Sequence, residues 1–269
     1  MTEAEIRSLE KKANDIRISI IEMLVEAGSG HTAGALGMAD IFAALYFDIL
    51  KHDAGKPDWE GRDRVVLSNG HICPVLYATL AHAGYFPISE LKTLRKLNSR
   101  LQGHPDRSWL PMLETSSGPL GEGLGQAVGI ALAGKNVYCL MSDGELDEGS
   151  TWESAMLAGK NKLSRLIAII DRNNIQIDGF TDDIMPLEPL RAKWEAFGWH
   201  VLEIDGHDFT EIIGAINQAK NITEKPSVII AHTTPGKGVK EFENKFEWHG
   251  KPPTKAEGEM AIKELKRNA

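Results

Sequence analysis

The chain has 269 residues, 42 % of them hydrophobic and 25 % charged, and its formal net charge is −8. These values are ordinary for a soluble globular protein that is large enough to bury most of its unfolded surface. The acidic balance argues against a nucleic-acid partner, and no apolar run approaches the length of a membrane span. The N-terminus is acidic and amphipathic, unlike a signal peptide. We therefore expect a cytoplasmic protein with no nucleic-acid and no membrane partner.

Helices and a short strand alternate along the first half of the sequence. Apolar residues at helical spacing predict a helix over residues 3–27 that stops at Gly28. The other elements predicted in this half are helices at about 38–50, 74–83, 89–97 and 121–134, a strand at 64–67, and an irregular loop at 102–118.

The second half continues the same alternation. Its predicted elements are strands at 136–141, 166–170, 200–204 and 227–232, helices at 150–162, 190–197 and 209–219, and a long loop at 174–187. Ser150, followed three residues later by Glu153, predicts a capping box at the start of the 150–162 helix. Short apolar strands between helices predict an α/β fold: a single doubly wound domain with a mainly parallel sheet flanked by helices. We expect this domain to cover residues 1–251 and a charged tail helix to cover 252–269.

An acid and an amide stand at the ends of two consecutive predicted strands. Asp143 follows the first strand and Asn173 the second. Each could be only a turn residue, since a carboxylate suits a helix N-terminus and Asn tolerates strained backbone. Their joint position at carboxyl ends of adjacent strands, where ligands bind in doubly wound sheets, favours a metal–diphosphate site instead. The Ile175 backbone carbonyl would be a third ligand, because its side chain cannot bind metal.

Glycines accompany a further set of candidate residues. The segment Gly118–Gly123 opens a helix of small residues, which suits either phosphate binding or ordinary helix entry. Four histidines stand beside glycine, where an imidazole has room to donate to phosphate or to a substrate hydroxyl: His31, His71, His104 and His249. Glu148, at the start of the 150–162 helix, is open to a capping role or to a role at an interface. The remaining histidines lack this context and are expected to be structural.

Taken together, these motifs closely resemble the N-terminal, diphosphate-binding half of transketolase. The matching segments run in order along nearly the whole chain: 29–31, 58–59, 62–64, 67–71, 103–105, 118–121, 143–144, 148–149, 171–175, 177–179, 197–200 and 249–250. The Asp-Gly and Asn pattern is shared by thiamin-diphosphate enzymes in general. The histidine motifs narrow the resemblance to transketolase-like proteins.

The resemblance implies a role for each matching residue. Thiamin diphosphate would be the cofactor, with Mg²⁺ or Ca²⁺ held by Asp143, Asn173 and the carbonyl of Ile175. The cofactor would be lined by these residues: His71, His249, Gly118, Pro119, Leu120 and Gly144. The resemblance also implies a catalytic set that surrounds the donor sugar and links the paired cofactor sites. This set comprises His31, His71, His104, His249 and Glu148.

The sequence departs from the family pattern in two residues and in length. Thr32 replaces the usual Pro, Ser142 replaces the usual Gly, and neither change removes a ligand. Family members run to about twice this length or more, and the absent half carries the pyrimidine-binding domain. We therefore expect a split transketolase, inactive on its own, whose separate C-terminal subunit joins it in an α₂β₂ heterotetramer acting on sugar phosphates of the pentose phosphate pathway.

Other functions remain open on the sequence alone. One is a specialised transketolase for an unusual ketose phosphate, since the residues that select the sugar are not in this chain. The motifs at 103–105 and 249–250 disfavour 1-deoxyxylulose-5-phosphate synthase and the α subunit of a 2-oxo acid dehydrogenase. A non-catalytic relative that only binds thiamin diphosphate is a further alternative.

Overall fold

The computed structural model describes residues 1–267, and its longest element is the N-terminal helix α1, Glu3–Ala27. A capping box begins α1: the Thr2 hydroxyl accepts from the backbone N–H of Glu5, whose carboxylate accepts from the N–H of Thr2. Gly28 ends the helix with a left-handed φ of 60°, which glycine adopts without a steric penalty, and donates to the Leu24 carbonyl. These bounds agree with the predicted helix at 3–27.

The other elements follow in chain order. The helices are α2 (Ala33–Gly37), α3 (Ala39–Ala44), α4 (Cys73–His82), α5 (Glu122–Leu132), α6 (Gly149–Lys160), α7 (Thr181–Ile184), α8 (Leu190–Ala196), α9 (Phe209–Lys220) and α10 (Lys255–Leu265). The strands are β1 (Arg64–Leu67), β2 (Val137–Ser142), β3 (Leu166–Arg172), β4 (Ile175–Gln176), β5 (Gly179–Phe180), β6 (His200–Asp205) and β7 (Ser227–His232). Short 3-10 turns occupy Gly70–Ile72, Ile88–Thr93, Gly144–Asp147 and Phe246–Trp248, and a π-helical turn occupies Leu45–Ile49.

Five strands form one parallel sheet in the order β1-β2-β3-β7-β6. The central strands β2 and β3 are buried along their whole length, as strands covered on both faces should be. One apolar core lies between the sheet and α1, α3, α4 and α9; a second lies between the sheet and α5, α6 and α8. The predicted α/β class, a mainly parallel sheet flanked by helices, is confirmed.

Several predicted elements differ from the observed ones. The helix expected at 38–50 is divided into α3 and the π-helical turn, and a separate helix, α2, precedes it. The break between α2 and α3 brings Gly37 so close to the Thr234 carbonyl that a Cβ there would lie 3.0 Å from the oxygen. The segment at 89–97 forms only the 3-10 turn Ile88–Thr93.

Two further corrections concern residues around the carboxyl ends of β2 and β3. The long loop expected at 174–187 contains the antiparallel pair β4–β5 and the short helix α7. The capping box expected from Ser150 and Glu153 is wrong, because α6 begins at Gly149 with Glu148 as its N-cap residue. Ser150 is therefore already inside the first helical turn, where its hydroxyl cannot cap.

The C-terminal helix α10 packs against α1. Asn14 of α1 donates from its side-chain amide to the Leu265 carbonyl over 3.1 Å, and Gly258 lies against Val25. Residues 268–269 of the predicted tail helix lie outside the described residues. Among residues 1–267, no helix has the length and apolar character that crossing a membrane requires.

Candidate active site

The carboxyl ends of β2 and β3 bring the predicted acid and amide into one crevice. Ser142 at the end of β2 pairs in register with Asp171 near the end of β3. Asp143 follows β2 directly, and Asn173 follows β3. The predicted proximity of these two side chains thus results from the parallel register of the two strands.

Asp143 is fully buried and is held by three N–H groups. Its Oδ1 accepts from the backbone N–H of Gly144 at 2.8 Å. Its Oδ2 accepts from the backbone N–H of Asn174 at 2.6 Å and from the Arg172 guanidinium at 3.2 Å. Burial nevertheless raises the pKa of Asp143 to about 6, since its charged form loses its hydration.

Asp171 orients the amide of Asn173. Its Oδ2 accepts from Asn173 Nδ2 at 2.7 Å, and its Oδ1 accepts from the Thr233 hydroxyl. The Asn173 amide oxygen in turn accepts from the backbone N–H of Ile175 at 3.0 Å. Because the NH₂ group of Asn173 donates to Asp171, its side-chain oxygen is directed away from Asp171 and toward the turn that follows β3.

These oxygens fit a hard divalent cation. Asp143 Oδ1 accepts one hydrogen bond and keeps a lone pair, the Asn173 amide supplies an oxygen, and Ile175 supplies a carbonyl. Residues 1–267 contain no cluster of three His, Cys, Asp or Glu side chains with metal-binding geometry. A cation here would therefore need amide and carbonyl ligands together with oxygens from water or a bound phosphate.

Three of the four predicted histidines form a triangle. The ring centroids of His31 and His71 are 5.0 Å apart, those of His31 and His249 are 5.4 Å apart, and those of His71 and His249 are 5.1 Å apart. His104 lies against Gly118, where an added Cβ would be 3.9 Å from the imidazole Cγ. The structure thus brings His104 to the Gly118–Gly123 turn.

Burial lowers the pKa of every histidine in this group. The pKa of His31 falls to about 4, chiefly through desolvation, with further contributions from the charges of His249, Arg95 and His104. The pKa values of His71, His249 and His104 are also lowered, and desolvation is the largest cause for each. All four imidazoles are therefore uncharged at neutral pH and can accept a proton on one nitrogen.

The histidine triangle and the Asp143–Asn173 pair are linked through Gly34. A Cβ at Gly34 would lie 2.9 Å from the Ile72 side chain, 3.7 Å from Asp171 Oδ2 and 4.0 Å from Asn173 Nδ2. The segments that follow α1 and β1 therefore meet the carboxyl end of β3 at this glycine. Buried polar atoms in the segments after α1 and β1, and in Ser117 beside Gly70, have no partner within the protein, as expected where a polar ligand binds: His31 Nδ1, Asn69 Nδ2 and Oδ1, and Ser117 Oγ.

Glu145 fixes the turn that begins α5. Its Oε1 accepts from the backbone N–H of Gly121 at 2.8 Å and from the Ser68 hydroxyl, and its Oε2 accepts from the N–H of Ser142 at 3.2 Å. Ser68 Oγ also accepts from the N–H of Gly123 at 3.1 Å. The ends of β1 and β2 thereby hold the Gly118–Gly123 turn in place.

Not every predicted residue joins the histidines. Glu148 is exposed at the start of α6, and a Cβ at Gly121 would lie 2.7 Å from its side chain. The sequence motifs suggested no role for Asp171, Arg172, Glu145 or Ser68, although all lie in or beside the segments that carried the family resemblance. The sequence signal that could have identified them is their polar character at or near the ends of buried strands.

The family model described as "Transketolase, thiamine diphosphate binding domain" matches residues 8–268. Because this match spans nearly the whole chain, the protein belongs to the transketolase family and contains its thiamin-diphosphate-binding domain. The family predicted from the motifs is confirmed, and with it the class of enzyme, a transferase of the transketolase type.

Two bacterial relatives are similar over nearly their full length. A 6-deoxy-6-sulfo-D-fructose transketolase subunit of Clostridium sp. (strain MSTE9) is 44 % identical, with 99 % of each chain covered. An apulose-4-phosphate transketolase subunit of Phocaeicola vulgatus is 40 % identical, with 97 % of this chain and 95 % of the relative covered. These matches confirm the prediction of an N-terminal transketolase subunit.

The fold is also that of solved transketolases. The crystal structure of transketolase from Campylobacter jejuni superposes with a TM-score of 0.89 at 40 % identity, over 97 % of this chain and 42 % of that one. The chain thus spans about two fifths of a transketolase that is a single polypeptide.

Proposed function

We propose that this chain, with a separate C-terminal subunit, transfers a two-carbon ketol unit from a ketose phosphate to an aldose phosphate. The observation that supports this most strongly is the histidine triangle next to a crevice that fits a metal and a diphosphate. Relatives described as transketolase subunits give independent support. The partner would supply the pyrimidine-binding domain, and we propose a cytoplasmic α₂β₂ assembly by analogy with symmetric oligomers.

Thiamin diphosphate, when bound, supplies the nucleophilic carbon that cleaves the ketose and carries the two-carbon unit. The residues proposed to hold the accompanying Mg²⁺ or Ca²⁺ are Asp143, Asn173 and the Ile175 carbonyl. Burial raises the pKa of Asp143 even though Arg172 and two backbone N–H groups contact it, so a divalent cation would stabilise its charged form further. Asp171 would keep the Asn173 oxygen directed at the metal.

The histidines would bind polar groups and move protons. We assign His71 and His249 to the diphosphate, and His31, His104 and His249 to the hydroxyl and carbonyl of the donor sugar. Their lowered pKa values keep them uncharged, so each can donate from one nitrogen and accept at the other. Gly118, Pro119, Leu120 and Gly144 would line the cofactor, since glycines permit close approach of a ligand.

Glu148 is proposed to act at a subunit interface and not among the histidines. Its exposure at the start of α6 suits a contact with another subunit rather than with the histidines of its own chain. We assign it to a link between paired cofactor sites across a subunit interface. This assignment rests on the family resemblance and on the exposure of the carboxylate.

A second candidate function is ketol transfer from an unusual ketose. The names of the two bacterial relatives, which refer to such sugars, favour this candidate.

The test of both candidates uses the chain co-purified with the product of a neighbouring reading frame that resembles the transketolase C-terminal half. Ribose 5-phosphate serves as acceptor, and xylulose 5-phosphate, 6-deoxy-6-sulfofructose and apulose 4-phosphate serve as donors. We expect transfer from at least one donor by the pair and none by either polypeptide on its own. A pair that binds thiamin diphosphate but transfers from no ketose would favour the non-catalytic alternative.

A further inference from the structure

One arginine, Arg95, contacts both of the loops that carry His31 and His104. Its Nη1 donates to the Ser29 hydroxyl at 2.9 Å, and its Nη2 donates to the Gly103 carbonyl at 3.2 Å. Ser29 lies two residues before His31, and Gly103 lies directly before His104. A single planar guanidinium therefore connects the two histidine loops. A lysine ammonium lacks the forked pair of N–H donors that makes these two contacts.

Glycine makes room for this guanidinium. A Cβ at Gly103 would lie 3.0 Å from both Cζ and Nε of Arg95, closer than ordinary van der Waals contact. A Cβ at Gly30 would lie 3.9 Å from Nε. Arg95 therefore gives a specific reason for Gly103, whereas Gly30 is required by its φ of 134° and by Leu24, whose Cδ2 would lie 2.5 Å from a Cβ.

The backbone of Arg95 is held in an unfavourable conformation. Its φ of 58° is in the left-handed region, which residues with a Cβ rarely adopt. Its backbone N–H donates to the Leu101 carbonyl at 2.9 Å, and both Leu94 and Leu101 are buried. The base of the loop is therefore anchored in the core, and this anchoring fixes the direction in which the arginine side chain leaves the backbone.

Charge adds a second effect to these contacts. The Arg95 cation lowers the pKa of His31 and of His104, in each case after desolvation. The other charged or titratable groups that act on His31 are His249 and His104. Arg95 is thus the permanent cation among the groups that bear on these two imidazoles.

We propose that Arg95 is a positioning residue of the ketol-transfer site: it holds the His31 and His104 loops together and places a fixed positive charge beside both imidazoles. This inference rests on the proposed function, but it can be tested without turnover.

Three variants separate the charge of Arg95 from its contacts. Arg95→Asn removes the charge and the forked N–H donors and suits the left-handed backbone. Arg95→Lys keeps the charge and loses the fork. Lys96→Gln is the matched control, because Lys96 lies in the same loop and pairs with Glu26.

The first measurement is an NMR titration of histidine-labelled full-length chain. We expect the titration midpoints of His31 and His104 to rise in Arg95→Asn, to stay near those of wild type in Arg95→Lys, and to be unchanged in Lys96→Gln. In the assembled enzyme, both Arg95 variants should lower kcat/KM about 10- to 100-fold, because small displacements of catalytic groups are costly. Gly103→Ala, which leaves the charge but displaces the guanidinium, should resemble Arg95→Lys.

Unchanged midpoints for both histidines in folded Arg95→Asn, or wild-type kcat/KM in Arg95→Lys, would overturn the proposal. If Arg95→Asn does not fold, Arg95→Lys and Gly103→Ala decide the positioning role. Failure of the wild-type pair to transfer a ketol unit would instead overturn the proposed function. The histidine titration would still report on the contacts of Arg95, so the two failures are distinguishable.

Discussion

His31 loses much of its hydration on folding, and the consequence is a measurable dependence of stability on pH. Its pKa is about 4 in the folded chain, whereas an unfolded histidine titrates near 6.5. Between these two pH values the unfolded chain binds more protons than the folded one. The free energy of unfolding must therefore fall as the pH is lowered from about 6.5 to about 4.

We predict that His31→Gln reduces this pH dependence. Urea denaturation at several pH values should show a shallower loss of stability between about pH 6.5 and about pH 4 than in wild type. His232→Gln is the control, because His232 is half-exposed and pairs with Glu203 at the surface. An identical slope in wild type and His31→Gln would show that His31 is not buried in its uncharged form.

At the residue scale, the sequence offers candidates where the signal is local and none where it is not. Asp143 and Asn173 follow buried strands, and the candidate histidines stand beside glycines, so the chain neighbours of each reveal it. The role of Asp171 depends on Thr233, 62 residues further along the chain, with which its carboxylate bonds. No local pattern predicts such a contact, since it arises only when β3 and β7 become neighbours in the sheet.

At the scale of elements, the turn before α5 depends on one buried carboxylate. Glu145 accepts from Ser68, Gly121 and Ser142, and it thereby joins the ends of β1 and β2 to this turn. An amide of the same shape has one acceptor oxygen and turns an NH₂ group toward donors. At least one buried N–H or O–H is then left without a partner.

We predict that Glu145→Gln lowers the free energy of unfolding by about 1–3 kcal/mol, the usual cost of leaving a buried polar group unsatisfied. Glu122→Gln is the matched control, since Glu122 lies in the first turn of α5 and is exposed. Urea denaturation of both variants at neutral pH measures the difference. Equal stabilities would mean that the Glu145 contacts contribute nothing net to the fold.

Element prediction was accurate for long periodic segments and poor for short irregular ones. The bounds of α1 and β1 agree with the predicted ranges, because each has a regular apolar pattern and a clear stop. The pair β4–β5 was missed, since strands of two residues carry no periodicity. The short helix α2 was also missed, because its Gly37 packs closely against distant Thr234, a contact that no local pattern reveals.

At the scale of the whole molecule, the fold brings together one part of a larger site. The crevice at the carboxyl ends of β2 and β3 offers oxygen ligands that suit a divalent cation, and the segments that carry His31 and His71 meet the same crevice at Gly34. The Campylobacter jejuni transketolase has more than half of its chain beyond the matching part. We therefore expect cofactor binding to depend on this chain, at Asp143, and catalysis to need a partner.

Calorimetric titration of thiamin diphosphate into the co-purified pair, with and without Mg²⁺, tests this central claim most directly. We predict saturable binding that requires Mg²⁺, is abolished by Asp143→Ala, and is retained in Asp147→Asn, whose exposed carboxylate lies in the same 3-10 turn. Absence of binding by the wild-type pair, or undiminished binding by a folded Asp143→Ala variant, would contradict the proposed cofactor site.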